Sequence, residues 1–452
     1  MNENIMAYKP VKSTIWKLGI PMVLSMILQS IYNVIDTIFV INMGEQGVKA
    51  NLALTYAFPI QILMIAISVG TGIGINASLS KTLGEKDEEK TKKIVGNAIF
   101  LGVVISIIFL IFGLFFADKF IGILSSDLEV ISLGSTYLKI CCCLCFGCIG
   151  FAIYERFLQA SGKTSLSMIA QISGAVINIV LDYVFIYPLN MGIAGAAYAT
   201  VIGQIASLII CIILHYSINK EVKNSLSGMK PNSQIIKGIY RIGWSAMLMQ
   251  GLLAISMFVL TAIMGLNAEH GELIQGTYGI YYKIYQIPLM ACFGLSNALI
   301  TLLSFNIGIK NKDRVKSILI NGVIDTAALG LIFTIIFEIF AKEIATLFGL
   351  ASGTSNNEII ELCKTSIQIA SIGYIFMGFS IGIQGELQAN QKSITPLVTA
   401  LLRLIVFVVP FAFIFIYSNN PTQNIWWSFP IGEFLTAIVS LFIFLKLYKK
   451  SI

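Results

Sequence analysis

Charge is scarce in this sequence. Asp, Glu, Lys and Arg together make up 12% of its 452 residues, whereas soluble domains carry about a quarter. That scarcity excludes an ordinary water-facing surface. Histidine occurs only as His215 and His270, both at the edges of apolar segments. No nucleophile–base set surrounds them and no P-loop sequence is present, so neither an enzyme nor direct ATP coupling is expected. No cofactor is expected either. Cysteine is more frequent, but "CCCLCFGC" (141–148) lacks the spaced CxxC pairs of a zinc site and lies inside an apolar run. It reads as small, weakly polar helix-packing residues.

What is there is apolar. Hydrophobic residues make up 56% of the chain. Long apolar segments fall near 14–41, 51–80, 94–117, 130–154, 165–187, 192–216, 238–265, 274–308, 317–341, 357–385, 393–417 and 424–446. Each is long enough to cross a hydrocarbon core of roughly 30 Å. The expected fold is therefore an all-α integral membrane protein of about twelve spans, with membrane lipid as its surroundings. No cleavable signal peptide is expected, because the first segment is too long and no small-residue cleavage site follows it.

The net charge of +7 does not point to nucleic acid. Its distribution explains it. Alternate connections carry "KTLGEKDEEKTKK", "NKEVKNSLSGMKPNSQIIKGIYR" and "KNKDRVK", and both chain ends are basic. The other loops hold few cations beside Glu45, Asp118, Asp127, Glu269 and Glu272. This is the positive-inside pattern, and it places both termini in the cytoplasm.

The chain also repeats itself. Gly70, Ser80, Gly84, Lys86 and Asn97 match Gly294, Ser304, Gly308, Lys310 and Asn321 at an offset of 224. "LQASGK" (158–163) matches "LQANQK" (387–392) at an offset of 229. Two six-helix lobes of like orientation follow, 1–216 and 238–452, joined by a basic cytoplasmic linker, 217–237. A pseudo-two-fold axis along the membrane normal would relate them. A cleft between like-oriented lobes suits an alternating-access carrier better than a channel.

Ionisable residues inside spans are the sharpest clues, since each costs about 2.5–3.5 kcal/mol at mid-helix. Gln29, Asn33 and Asp36 share one face of the first span, with spacings of four and three. Asn178 and Asp182 share a face of the fifth, and Thr200 and Gln204 a face of the sixth. Gathered in one lobe, they would make a hard, oxygen-rich site for a proton or Na⁺. The plainer alternative is that each aspartate is structural and satisfied by a neighbouring amide or hydroxyl. At the offsets above, Asp36, Asn178, Asp182 and Thr200 fall on Leu260, Phe407, Phe411 and Phe429. The scaffold is duplicated, but the polar cluster is not.

The second half carries cations instead. Lys283 lies among tyrosines in "GIYYKIYQIP" and Arg403 lies in "LLRLIVF"; either can snorkel to an interface. Glu338 and Glu433 fall near segment ends. Pro21 removes one hydrogen bond from the first span and suggests a hinge. Met247, Met249, Met257, Phe258 and Met264 of the seventh span, with Tyr282 and Lys283, are candidates for an adaptable substrate cavity. Ordinary helix packing explains the methionines equally well.

Twelve spans in two like-oriented halves, "LQASGKT" after the fourth span and "GIAGAAYATVIGQ" opening the sixth resemble the multidrug and toxic compound extrusion (MATE) family over essentially the whole chain. The pattern is similar to the DinF-like and MepA-like bacterial branches. There a first-helix Asp acts with an Asn, an Asp and a Thr, matched here by Asp36, Asn178, Asp182 and Thr200, with Pro21 at the kink. The resemblance implies H⁺- or Na⁺-coupled export of organic, often cationic, amphipathic compounds across a bacterial plasma membrane, by a chain working as a monomer. The NorM-like branch uses C-terminal-lobe acids, and the seventh span here has none. The alternative is a flippase for lipid-linked oligosaccharide or a cell-wall precursor, for which Lys283 and Arg403 would be the pyrophosphate-binding cations.

Overall fold

The computed structural model describes residues 4–41, 47–222, 226–352, 356–392 and 394–451; among the helical residues, the side chains of Asn33 and Asp36 lie outside the description. The long helices are α1 (Val11–Ile41), α2 (Gly47–Glu85), α3 (Glu88–Phe115), α4 (Leu128–Cys143), α5 (Phe146–Ala160), α6 (Thr164–Ile186) and α7 (Gly192–Ile218). They continue as α8 (Ser233–Met264), α9 (Gly271–Gly308), α10 (Lys312–Ile339), α11 (Asn357–Ser371), α12 (Tyr374–Ala389), α13 (Ile394–Phe415) and α14 (Ser428–Ser451). Among the described residues, ten helices are long and apolar enough to span a membrane, and twelve spans result if the bent pairs α4–α5 and α11–α12 each count as one. The expected architecture is therefore present.

The two bent pairs occupy matching places in the repeat. α4 and α5 meet at 41° across Leu144–Cys145, and α11 and α12 meet at 53° across Ile372–Gly373. The cysteine run sits at the first bend. Cys141, Cys142 and Cys145 are buried in the core there, and Gly113 lets α3 approach the Cβ of Cys142.

The repeat extends to backbone detail. Lys86 and Lys310 adopt left-handed φ of 58° and 59°. Next to them Asp87 caps α3 by accepting from the Lys90 N–H at 2.9 Å, and Asn311 caps α10 by accepting from the Arg314 N–H at 3.1 Å. A residue in the left-handed region followed by a capping Asp or Asn makes the same tight turn twice. "LQASGK" and "LQANQK" share a left-handed turn residue as well, Gly162 at φ 79° and Gln391 at φ 57°, each followed by Lys rather than a capping Asp or Asn.

The segments preceding α1 and α8 are both clasped. Asn306 and Arg314 donate to the Met6 carbonyl at 3.2 and 3.0 Å, and Arg314 also donates to the Lys9 carbonyl at 2.9 Å. Asn97 donates to the Gly228 and Lys230 carbonyls and accepts from the Asn232 N–H at 2.8 Å. Two compact units result. One is Ile31–Met247, called the first unit below; the other, the second unit, combines Met1–Ser30 with Leu248–Ile452. α1 and α8 therefore each begin in one unit and end in the other.

Gln391 holds a backbone conformation that glycine adopts without steric cost, whereas other L-residues incur roughly 1–2 kcal/mol. Gln391→Gly is therefore expected to stabilise the purified protein by about 1 kcal/mol. Gly162→Gln should destabilise it by a similar amount. Melting curves of both variants check the pair.

Candidate functional site

In the first unit, the candidate polar residues of α6 lie on its buried face. Gly174, Asn178, Asp182 and Ile186 recur every four residues, and all are buried. That face packs on α7 because glycine is present on both sides. A methyl group at Gly174 would fall 1.8 Å from Ser207 Oγ and 2.5 Å from the Gly203 carbonyl. One at Gly203 would fall 2.8 Å from Asn178 Cβ, and Gly195 meets Phe185 in the same way. These contacts fix an antiparallel register in which Asp182 comes nearest the level of Ala199.

Asp182 is 0% exposed. Asn178, one turn away, is buried, and neither its amide nitrogen nor its oxygen has a hydrogen-bond partner among the described residues. Thr200 and Gln204 on α7 are half-buried. Asp36 and Asn33 lie on α1, but their side chains fall outside the described residues. The end of that helix does reach α6: Tyr187 donates to the Phe39 carbonyl at 3.4 Å, and the two rings meet edge-on at 6.1 Å. Gln29 and Pro21 belong to the part of α1 within the second unit, where Pro21 is buried inside a helix that continues through it.

The equivalent place in the second unit is a recess, lined in part by Leu260, Tyr281, Tyr282, Arg403, Phe429 and Glu433. Leu260 and Phe429 are the repeat counterparts of Asp36 and Thr200. Arg403 and Glu433 are the counterparts of Gly174 and Gln204 at the 229 offset. The constant offset needs one correction. Gly203 packs on Asn178, whereas Gly432 packs on Val408. A π-helical turn at Leu402–Val406 inserts one residue into α13, so Val408 and Ala412, not Phe407 and Phe411, stand where Asn178 and Asp182 stand. Both are buried and apolar. Ser256 accommodates the bulge by donating to the Leu404 carbonyl at 2.8 Å.

Arg403 does not snorkel. It is 1% exposed, faces Glu433 at 3.9 Å, and its guanidinium lies 5.9 Å from the centre of the Phe293 ring. Lys283 is half-buried and donates to Ser352 at 3.3 Å. Among the cavity candidates, Tyr282 lines the recess, Met257 is half-buried beside it and Phe258 is 76% exposed. Met247, Met249 and Met264 are helix residues of α8, the last two buried.

The second half is not confined to cations. Asp325 on α10 is buried and accepts from the Trp16 indole. Glu386 on α12 is 0% exposed, and neither carboxyl oxygen has a hydrogen-bond partner among the described residues. Glu433 is buried as well. Each is a single carboxylate in an apolar run, the same signal that marks Asp182. Glu386 lies one residue beyond the expected end of its span.

Comparison with known proteins agrees with this geometry. The chain matches the family described as MatE twice, over residues 21–184 and 245–414, once in each half. It is 26% identical over 438 residues to "Multidrug export protein MepA" of Staphylococcus aureus (strain bovine RF122 / ET3-1), covering 96% of this chain and 93% of that one. The protein of the same name from Staphylococcus saprophyticus is 26% identical over 444 residues, covering 96% and 94%. The fold matches a structure described as the outward-facing conformation of a multidrug resistance MATE family transporter, with TM-score 0.93, 23% identity and coverage of 100% and 99%. A transporter from Pyrococcus furiosus described as having a binding pocket of reverse polarity matches with TM-score 0.86 at 22% identity. This chain belongs to the MATE family of multi-pass membrane transporters, and is not an enzyme.

Proposed function

We propose that this transporter exports organic, chiefly cationic and amphipathic compounds in exchange for H⁺ or Na⁺ by alternating access. Asp36, Asn178, Asp182 and Thr200 form the coupling site, with Gln29, Asn33 and Gln204 as polar support and Pro21 as a hinge. The observation that carries this is Asp182, fully buried at a glycine-packed seam one turn from an amide with open valences. A proton or a metal cation can balance a carboxylate in that setting. Apolar residues at the repeat-equivalent positions support a role beyond building the shared scaffold. The relatives named as multidrug export proteins support the substrate class.

Ion binding in the first unit favours one state and substrate binding the other. Exchange requires that difference in preference, not merely that both bind. A flippase reading is less well supported, because the cations it would use have partners: Arg403 faces Glu433, and Lys283 bonds to Ser352.

In proteoliposomes loaded with ethidium, with pH and Na⁺ gradients imposed separately, one gradient should drive export. Asp182→Asn, at equal reconstitution and melting temperature, should lower ion-driven export by about tenfold or more. Export equal to that of the unaltered protein overturns the assignment of Asp182. The charge pattern supports cytoplasmic termini, so a green fluorescent protein at the C-terminus should fluoresce in bacteria. Alkaline phosphatase fused at the same place should be inactive. The reverse pair of results contradicts this orientation.

A further inference from the structure

Glu386 has no part in the coupling site proposed for the first unit. It is 0% exposed in α12, and neither carboxyl oxygen has a hydrogen-bond partner among the described residues. Buried polar groups are normally satisfied, so an open carboxyl calls for a ligand of its own. Glycine makes its place. A methyl group at Gly322 of α10 would fall 3.1 Å from Glu386 Oε1 and 2.7 Å from Leu299 Cδ2 of α9. At the repeat offsets Glu386, Gly322 and Leu299 fall on Phe157, Ala98 and Ile75, all buried in the apolar core of the first unit. The second unit thus carries a carboxyl where the first carries a ring, and a hydrogen where it carries a methyl. The charged groups on the helices packed around α12 are held elsewhere. Asp325 of α10 accepts from the Trp16 indole, Arg403 of α13 faces Glu433 of α14, and Lys283 of α9 bonds to Ser352. None of these, nor the tyrosines and Cys292 of α9, acts electrostatically on Glu386.

An ionised Glu386 would be a buried charge with nothing to balance it, which is costly, whereas the acid form is neutral. A metal cation suits the place less well. Hard cations take a shell of several oxygen ligands, and the neighbours met at the carboxyl, Leu299 and Gly322, offer no side-chain oxygen. We propose that Glu386 is a proton-binding site of the second unit, loaded in the state described above and separate from Asp182. Its route to water is one helical turn long. Asn390 donates to the Glu386 carbonyl at 2.9 Å, is half-buried, and is followed by the exposed Lys392. The charge pattern supports a cytoplasmic place for this turn. When water reaches the carboxyl from that side, the O–H bond breaks, the proton passes to water and the electron pair stays on Glu386. The reverse step reloads the site. Use of this proton in exchange rests on the transport reading above. Its presence on Glu386 does not.

The test is infrared spectroscopy of the full-length protein in lipid nanodiscs, with the side-chain carboxyls of glutamate isotopically labelled. The label separates glutamates from Asp182 and Asp325. At neutral pH the labelled protein should show a C=O stretch of a protonated carboxyl that is lost in Glu386→Gln. Gly322→Ala crowds the carboxyl and leaves every titratable group in place. It should shift the same band, and this arm decides the matter if Glu386→Gln fails to fold. Exchanging K⁺ for Na⁺ in the buffer should leave the band unchanged. Saturating ethidium should diminish it, as the acid unloads. Asp182→Asn should leave the band in place, so failure of the coupling site and failure of this site are told apart. No band lost in Glu386→Gln, no shift in Gly322→Ala, or a band that Na⁺ removes overturns the proton site. A band that ethidium leaves unchanged overturns its use in exchange.

Discussion

Gly174 and Gly203 bring α6 and α7 so close that the Gly203 carbonyl and the Ser207 hydroxyl occupy the space a side chain at Gly174 would need. This contact fixes the register of the seam and decides which polar groups face each other across it. Helices in lipid gain little from burying apolar surface against one another, and small residues that let backbones approach are what hold them. Here the approach has a second consequence. It removes Asn178 and Asp182 from lipid, so a costly pair of side chains persists in an apolar bundle.

The second unit meets the same constraint differently. Arg403 stands at the place of Gly174, where a large side chain would otherwise block the seam. The π-helical turn at Leu402–Val406 reshapes α13 there, and Ser256 bonds to the Leu404 carbonyl within that turn. A bulge, a hydroxyl and an opposing carboxylate thus accompany one substitution. The result is a recess lined by an Arg403–Glu433 pair where the first unit buries Asn178 and Asp182. Two copies of one scaffold carry different polar groups at equivalent positions.

Much of this is legible in the sequence. Span positions follow from apolar length, and the duplication follows from the turn residues, because Lys86–Asp87 and Lys310–Asn311 must make the same left-handed turn and cap. Asp182 and Asn178 stand out by four-residue spacing. Other features are hidden for physical reasons. Arg403 and Glu433 are thirty residues apart on different helices, so no local pattern announces their pairing; Arg403 alone reads as able to snorkel, and Glu433 alone as near a segment end. The inserted residue at the π turn shifts the repeat by one without altering its apolar character, which is why Phe407 and Phe411 look equivalent to Asn178 and Asp182. Glu386 sits one residue past a span edge judged from hydropathy, yet its helix continues and buries it. Its isolation from any basic neighbour was the available signal.

The central claim is that the first unit holds a coupling ion whose binding opposes that of the exported compound. Ethidium affinity measured on the solubilised protein across a pH series, and separately across a Na⁺ series, tests it without any gradient. The account predicts that the dissociation constant rises as one of the two ions loads the site, and that Asp182→Asn flattens this dependence. A dissociation constant that does not respond to either ion, or a dependence that Asp182→Asn leaves intact, would contradict it.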